Sequence, residues 1–174
     1  MKVKEEIIEG LEQAFDQLGS WLSEHPDAKF SQGPAGKWTT GQHIDHLIRS
    51  MQPLTMALNL PKPQIQMMFG EPNREGRTYE EVVEKYQAKL AAGGASSGQY
   101  DPKEIPAQEK HPLVEELMNQ KTSLQETIAQ WEEADLDAYL LPHPLMGKML
   151  VREMLFFTVY HTRHHTRNLV ENYA

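Results

Sequence analysis

The sequence contains no cysteine. That excludes disulfides, thiolate-ligated metals, iron–sulfur clusters and a Cys nucleophile, and leaves His, carboxylates and hydroxyls to carry any chemistry. A basic surplus is also lacking: 17 Lys and Arg stand against 25 Asp and Glu, a formal net charge of −8. An acidic chain has no general electrostatic grip on nucleic acid or on an anionic membrane, so neither is expected as a partner. No apolar run approaches the roughly 18–20 residues of a membrane span. The opening, MKVKEEIIEG, is charged and has no apolar block, so no signal peptide is expected and the location is expected to be cytoplasmic. Aromatics are sparse at 8%, yet hydrophobic residues make up 39% of the 174, enough for a core and too many for a disordered chain. The length suits one domain over residues 1–174.

What the chain has in quantity is helical periodicity. Val3, Ile7, Leu11, Phe15, Leu18 and Leu22 recur every three or four residues, one apolar stripe on a helix from about Lys2 to Ser23. HPDAKFSQGPAGK then reads as a loop. A second helix starts near Thr39, where Thr39 and Gln42 fit a capping box, and Ile44, Leu47, Ile48, Met51, Leu54 and Leu58 form its stripe. Pro53 falls inside that pattern and predicts a kink or restart near Arg49. Asn59 to Arg77, with its prolines and glycines, reads as irregular, and Thr78 to Leu90 as a short helix. AAGGASSGQYDPKEIP breaks any continuous element. A helix from about Pro112 to Trp131 carries Leu113, Leu117, Leu124 and Ile128 on one side, Pro112 suiting its first turn. LPHPLMGK is a turn-rich entry to a last helix from about Leu150 to Tyr173. No stretch shows strand-like alternation. Four long amphipathic helices must bury their stripes against one another, so the expected fold is all-α, a four-helix bundle.

The eight histidines are where chemistry would sit. His161 and His165 are four apart on the last helix, about 40° around the axis at 100° per residue. Met154, Phe157 and Asn168 share that face, so it points inward. Two inward imidazoles one turn apart can grip one metal ion, although such a pair taken alone is more often simply hydrogen-bonded. A His161/His164 pair is also sterically open and would turn the site toward another neighbour. Two ligands rarely hold a divalent ion well, and the second helix offers His43 and His46 as a third. His43 reads mainly as a support for a ligand or as an ordinary residue of the helix start. His25, His111 and His143 lie beside prolines and read as solvated or turn-capping imidazoles.

The segment WTTGQHIDHLIRS resembles the W-S-x-x-[EQ]-x-x-x-H-L signature of the DinB-like/YfiT-like metalloenzyme superfamily, with His46 in the His position and Leu47 after it. HPLMGKMLVREMLFFTVYHTRHHTRNL is similar to the closing H-P-x-x-G … E-x-x-x-F … H-x-x-x-H-x-x-Q block of the same family, its final metal-binding pair falling on His161 and His165. The resemblance implies a bundle wound up-down-down-up, one divalent metal, commonly zinc or nickel, held by His46, His161 and His165, and a homodimer. It implies activity on a small-molecule substrate: S-transfer from an external low-molecular-weight thiol to an electrophile, or metal-dependent hydrolysis. Asn168 stands where relatives often carry Gln, which shortens the reach of that amide.

Neutral imidazoles leave the charge of a divalent ion uncompensated, which makes it a strong Lewis acid. The hydrolytic route needs a carboxylate as general base, and Glu153 is the candidate catalytic residue, two turns before His161 and about 80° around the axis. Its competing role is that of a first-turn acid favoured by the helix dipole. The alternative from another class is a non-catalytic bundle, its metal structural or absent, that binds a ligand or partner as a stress-response protein.

Overall fold

The computed structural model describes residues 1 and 3–173. Among them are six α-helices, α1 (Lys4–Glu24), α2 (Thr40–Leu58), α3 (Lys62–Phe69), α4 (Tyr79–Ala91), α5 (Lys110–Ala129) and α6 (Val151–Asn172), with four short 3-10 turns and one two-stranded sheet of β1 (Leu140–His143) and β2 (Gly147–Leu150). Lys2, the expected first residue of α1, and Ala174, the end of the expected domain, lie outside the described residues.

The four long helices form where the apolar stripes predict them. On α1, Ile7, Leu11, Phe15, Leu18 and Leu22 are buried, while Val3 stays largely exposed. All six stripe residues of α2 are buried, as are Leu117, Leu124 and Ile128 of α5. Pairings across the bundle give the winding. Glu12 meets Lys121 while Gln125 reaches the Ile8 carbonyl, so α1 and α5 are antiparallel. Gln52 meets Glu116 and Asn59 meets Thr127, so α2 and α5 run the same way. His46 faces His161 while His43 faces His165, so α2 and α6 are antiparallel. The order is up-down-down-up, an all-α bundle in which α1 and α2 each pack against both α5 and α6.

Three expectations need correction. Pro53 brings no restart near Arg49: α2 runs as one helix from Thr40 to Leu58, because packing along its buried face outweighs the one helical bond that the missing N–H removes. Residues 59–77 are not wholly irregular: Pro61 and Pro63 fall at the cap and first turn of α3, where proline is compatible with a helix. Strands are present as well. β1 and β2 pair antiparallel, Leu140 with Leu150 through His143 with Gly147, a hairpin too short to show alternation. Gly147 takes φ +75°, the left-handed conformation that closes the turn.

The hairpin directs the chain into α6. Glu153 caps that helix by accepting from the Leu150 N–H at 3.2 Å. None of the helices among the described residues is long and apolar enough to cross a membrane.

Candidate metal centre

The N-terminus of α2 is fixed locally. The Thr39 hydroxyl accepts from the Gln42 N–H at 3.2 Å, and the Gln42 side-chain oxygen accepts from the Thr39 N–H at 2.8 Å. This capping box sets the start of the helix and hence the faces on which His43 and His46 emerge. The opposed run of α6 brings His161 and His165 to them. His46 Nε2 lies 3.1 Å from His161 Nε2, which lies 3.0 Å from His165 Nε2. One ligand atom from each of His46, His161 and His165 falls within 4.8 Å of the others, and all three residues are buried.

The donor set suits a cation. Nitrogens at the 2.0–2.1 Å of a tetrahedral metal–imidazole site stand about 3.3 Å apart, close to the spacing here. His46 donates its Nδ1–H to the Tyr100 carbonyl at 2.7 Å, so its Nε2 presents a lone pair to His161. Burial, and then the neighbouring imidazoles, hold His161 and His165 well below the usual histidine pKa. Burial also lowers His46, against the opposing pull of the Tyr100 carbonyl. Their depressed pKa values favour neutral rings at pH 7, the form in which imidazole ligates a metal.

The centre lies in the wall of a cleft of about 820 Å³. Leu47, Met51, Leu54, Leu141 and Phe157 make much of its lining apolar, and Asp101 is the carboxylate on its wall. His143 is also there. Its Nδ1 accepts the Leu145 and Met146 N–H groups at 3.1 and 3.2 Å, so the ring proton sits on Nε2. Its expected turn-capping role holds, but the ring is buried rather than solvated, and burial lowers its pKa to about 4. His25 is buried too, stacked on Trp21 with ring centroids 4.4 Å apart, whereas His111 is exposed beside Asp27.

Glu153 is placed elsewhere. It has no exposure and does not line the cleft. Arg74 donates to both its oxygens at 2.6 Å, and the Arg77 N–H donates at 2.7 Å. The carboxylate that was the candidate general base is thus occupied in tying the 74–77 segment to the start of α6. His164 lines the cleft but does not join the ligand cluster; its ring meets that of His165 edge-on, centroids 5.4 Å apart, and that of Tyr86 at 6.3 Å. Tyr100, whose carbonyl orients His46, sits in a run that reads only as Gly/Ser-rich loop, and no residue-type signal marks it. Tyr173, at the end of α6, contacts His43 and is equally silent in the sequence.

No curated protein sequence matches the chain. One solved structure similar to it is the colibactin self-resistance protein ClbS in complex with a dsDNA. It has 15% sequence identity and a TM-score of 0.59, covering 98% of this chain and 95% of that one. That complex overturns the exclusion of nucleic acid drawn from the acidic balance. Net charge sums the whole surface, whereas a nucleic acid is gripped by a local patch, and this fold accommodates one in ClbS. The profile of the DinB superfamily matches residues 6–169. With that match spanning all four bundle helices and both histidine-bearing segments, the chain belongs to the DinB superfamily.

Proposed function

We propose that the protein is a metal-dependent enzyme that holds a divalent ion on His46, His161 and His165 and transfers a low-molecular-weight thiol to a small electrophile in the cleft. The observation that carries this reading is the convergence of three buried imidazoles at the wall of a largely apolar cavity. Zinc and nickel both suit an all-imidazole set. Bound there, such an ion would supply Lewis acidity that favours the deprotonated form of a thiol or water. Leu47, Met51 and Phe157 would take the apolar body of the substrate and exclude water from it. His143 offers an Nε2–H to an acceptor atom of the substrate. Glu153 being engaged by Arg74, the base required for hydrolysis is missing from its expected place, which favours transfer. Asp101, on the cleft wall and close enough for its charge to act on His46, is the one feature that favours hydrolysis instead.

The test begins with metal content after purification without an affinity tag, in wild type and in His46→Ala, His161→Ala and His165→Ala. Wild type should hold a stoichiometric divalent ion and each variant should lose it with its helical circular dichroism retained. Equal metal in all four proteins, or none, refutes the centre; loss of metal together with loss of fold makes it structural. Thiol consumption with chlorodinitrobenzene, set against hydrolysis of p-nitrophenyl acetate, separates transfer from hydrolysis. Because ClbS was crystallised with a dsDNA, a duplex gel shift at two salt concentrations belongs in the same series.

A further inference from the structure

His43 lies between the ligand cluster and the end of the chain. Its Nδ1 is 2.7 Å from His165 Nδ1, and its Nε2 is 3.1 Å from the Tyr173 hydroxyl. That hydroxyl is 2.5 Å from the Trp38 carbonyl. All three side chains in this line, His165, His43 and Tyr173, are more than nine-tenths buried. Trp38 covers them, its ring stacked within 4° of the His165 plane.

The protons in this line can be assigned from one end. A carbonyl only accepts, so the Tyr173 hydroxyl donates its single hydrogen to Trp38. The hydroxyl oxygen then faces His43 Nε2 as an acceptor, so Nε2 carries the hydrogen. A neutral imidazole has one N–H, which leaves His43 Nδ1 as a lone pair. The 2.7 Å contact must then be a bond donated by His165 Nδ1–H. It follows that His165 Nε2 is a lone pair, turned toward His161 Nε2 at 3.0 Å. We propose that His43 and Tyr173 are positioning residues that hold His165 in its Nδ1–H tautomer and keep its Nε2 free as a ligand. The consequence for metal affinity rests on the metal reading above; the tautomer assignment does not.

This line does for His165 what the Tyr100 carbonyl does for His46, but with side chains and a longer route. It ties the metal centre to the docking of the C-terminal end of α6 against the residue that precedes the α2 cap. Loss of either link frees His165 to place its proton on Nε2, where it blocks coordination. Supports of this kind typically change metal affinity by about 10–100-fold when removed.

The experiment uses full-length wild type, His43→Leu, His43→Asn and Tyr173→Phe. Asparagine places an acceptor oxygen where His43 Nδ1 stands; leucine offers none. Long-range ¹⁵N–¹H correlation spectra of the metal-free proteins read the His165 tautomer directly. Wild type and His43→Asn should show Nδ1–H, and His43→Leu and Tyr173→Phe should show a mixture or Nε2–H. Zinc affinity, by competition with a chromophoric chelator, should fall about 10–100-fold in His43→Leu, less in Tyr173→Phe, and recover in His43→Asn. An Nε2–H tautomer in metal-free wild type overturns the proposal, as does a His43→Leu variant with wild-type tautomer and zinc affinity. If even wild type binds no zinc, the metal reading falls and the tautomer spectra alone decide the relay.

Discussion

Replacing Glu153 with Gln removes a negative charge from a side chain that has no solvent exposure. In the wild type both oxygens bind Arg74, the Arg77 and Leu150 N–H groups donate as well, and the Arg77 guanidinium stands 3.4 Å from the carboxylate. Breaking a buried ion pair by removing one partner costs about 3–5 kcal/mol. Arg74 and Arg77 keep 29% and 28% exposure and can recover hydration, and glutamine retains one acceptor. The expected loss is therefore about 2–3 kcal/mol. In a domain of this size each kcal/mol moves Tm by roughly 2–4 °C, so the fall should be about 4–12 °C. Thermal unfolding followed by circular dichroism at pH 7 reads it. The effect should also depend on pH. Burial pushes the Glu153 pKa up, but the Arg74 and Arg77 hydrogen bonds pull it down further, to a net value below the ordinary 4.5. A carboxylate depressed in the folded state contributes its full stability above the unfolded pKa and loses it as pH falls through the folded one. The wild-type and Glu153→Gln curves should therefore stand apart by a constant amount above about pH 4.5 and converge as pH falls below it toward the depressed folded pKa. Zinc affinity should stay within about twofold, because independent sites are near additive and this side chain does not reach the cleft. An unchanged Tm refutes the ion-pair account, and an unchanged Tm with abolished turnover restores Glu153 as a catalytic group.

Thr39→Ala removes the hydroxyl half of the α2 capping box and should cost about 1 kcal/mol, measured by urea unfolding. Because that cap sets the start of the helix bearing His43 and His46, zinc affinity should weaken along with stability, and unaltered affinity would show that the packed helix holds the histidines without it. His143→Leu leaves the Leu145 and Met146 N–H groups without their acceptor and should destabilise by about 1–3 kcal/mol. His143→Asn restores an acceptor in the same position and should recover most of the loss in the same unfolding assay.

The sequence by itself determined the elements whose cause is local. Apolar residues every three or four positions specify the long helices, because the period of the α-helix is a property of the backbone. The Thr39/Gln42 pair specifies the α2 start, since both groups of a capping box lie within one turn. The spacing of His161 and His165 sets two imidazoles on one face for the same reason. The tertiary structure decided what joins residues far apart in the chain. His46 faces His161 while His43 supports His165 only because α2 and α6 run antiparallel at one offset, and either histidine satisfies the local pattern. Glu153 reads as a candidate base until Arg74, 79 residues away in a segment with no periodic signal, is folded onto it. The Tyr100 carbonyl is a backbone group, which no residue type announces. Tyr173 matters solely because the end of α6 packs beside the start of α2. Hydrogen bonds and ion pairs of this kind are fixed by how helices pack, and packing depends on every buried side chain at once, so no window of the sequence contains it.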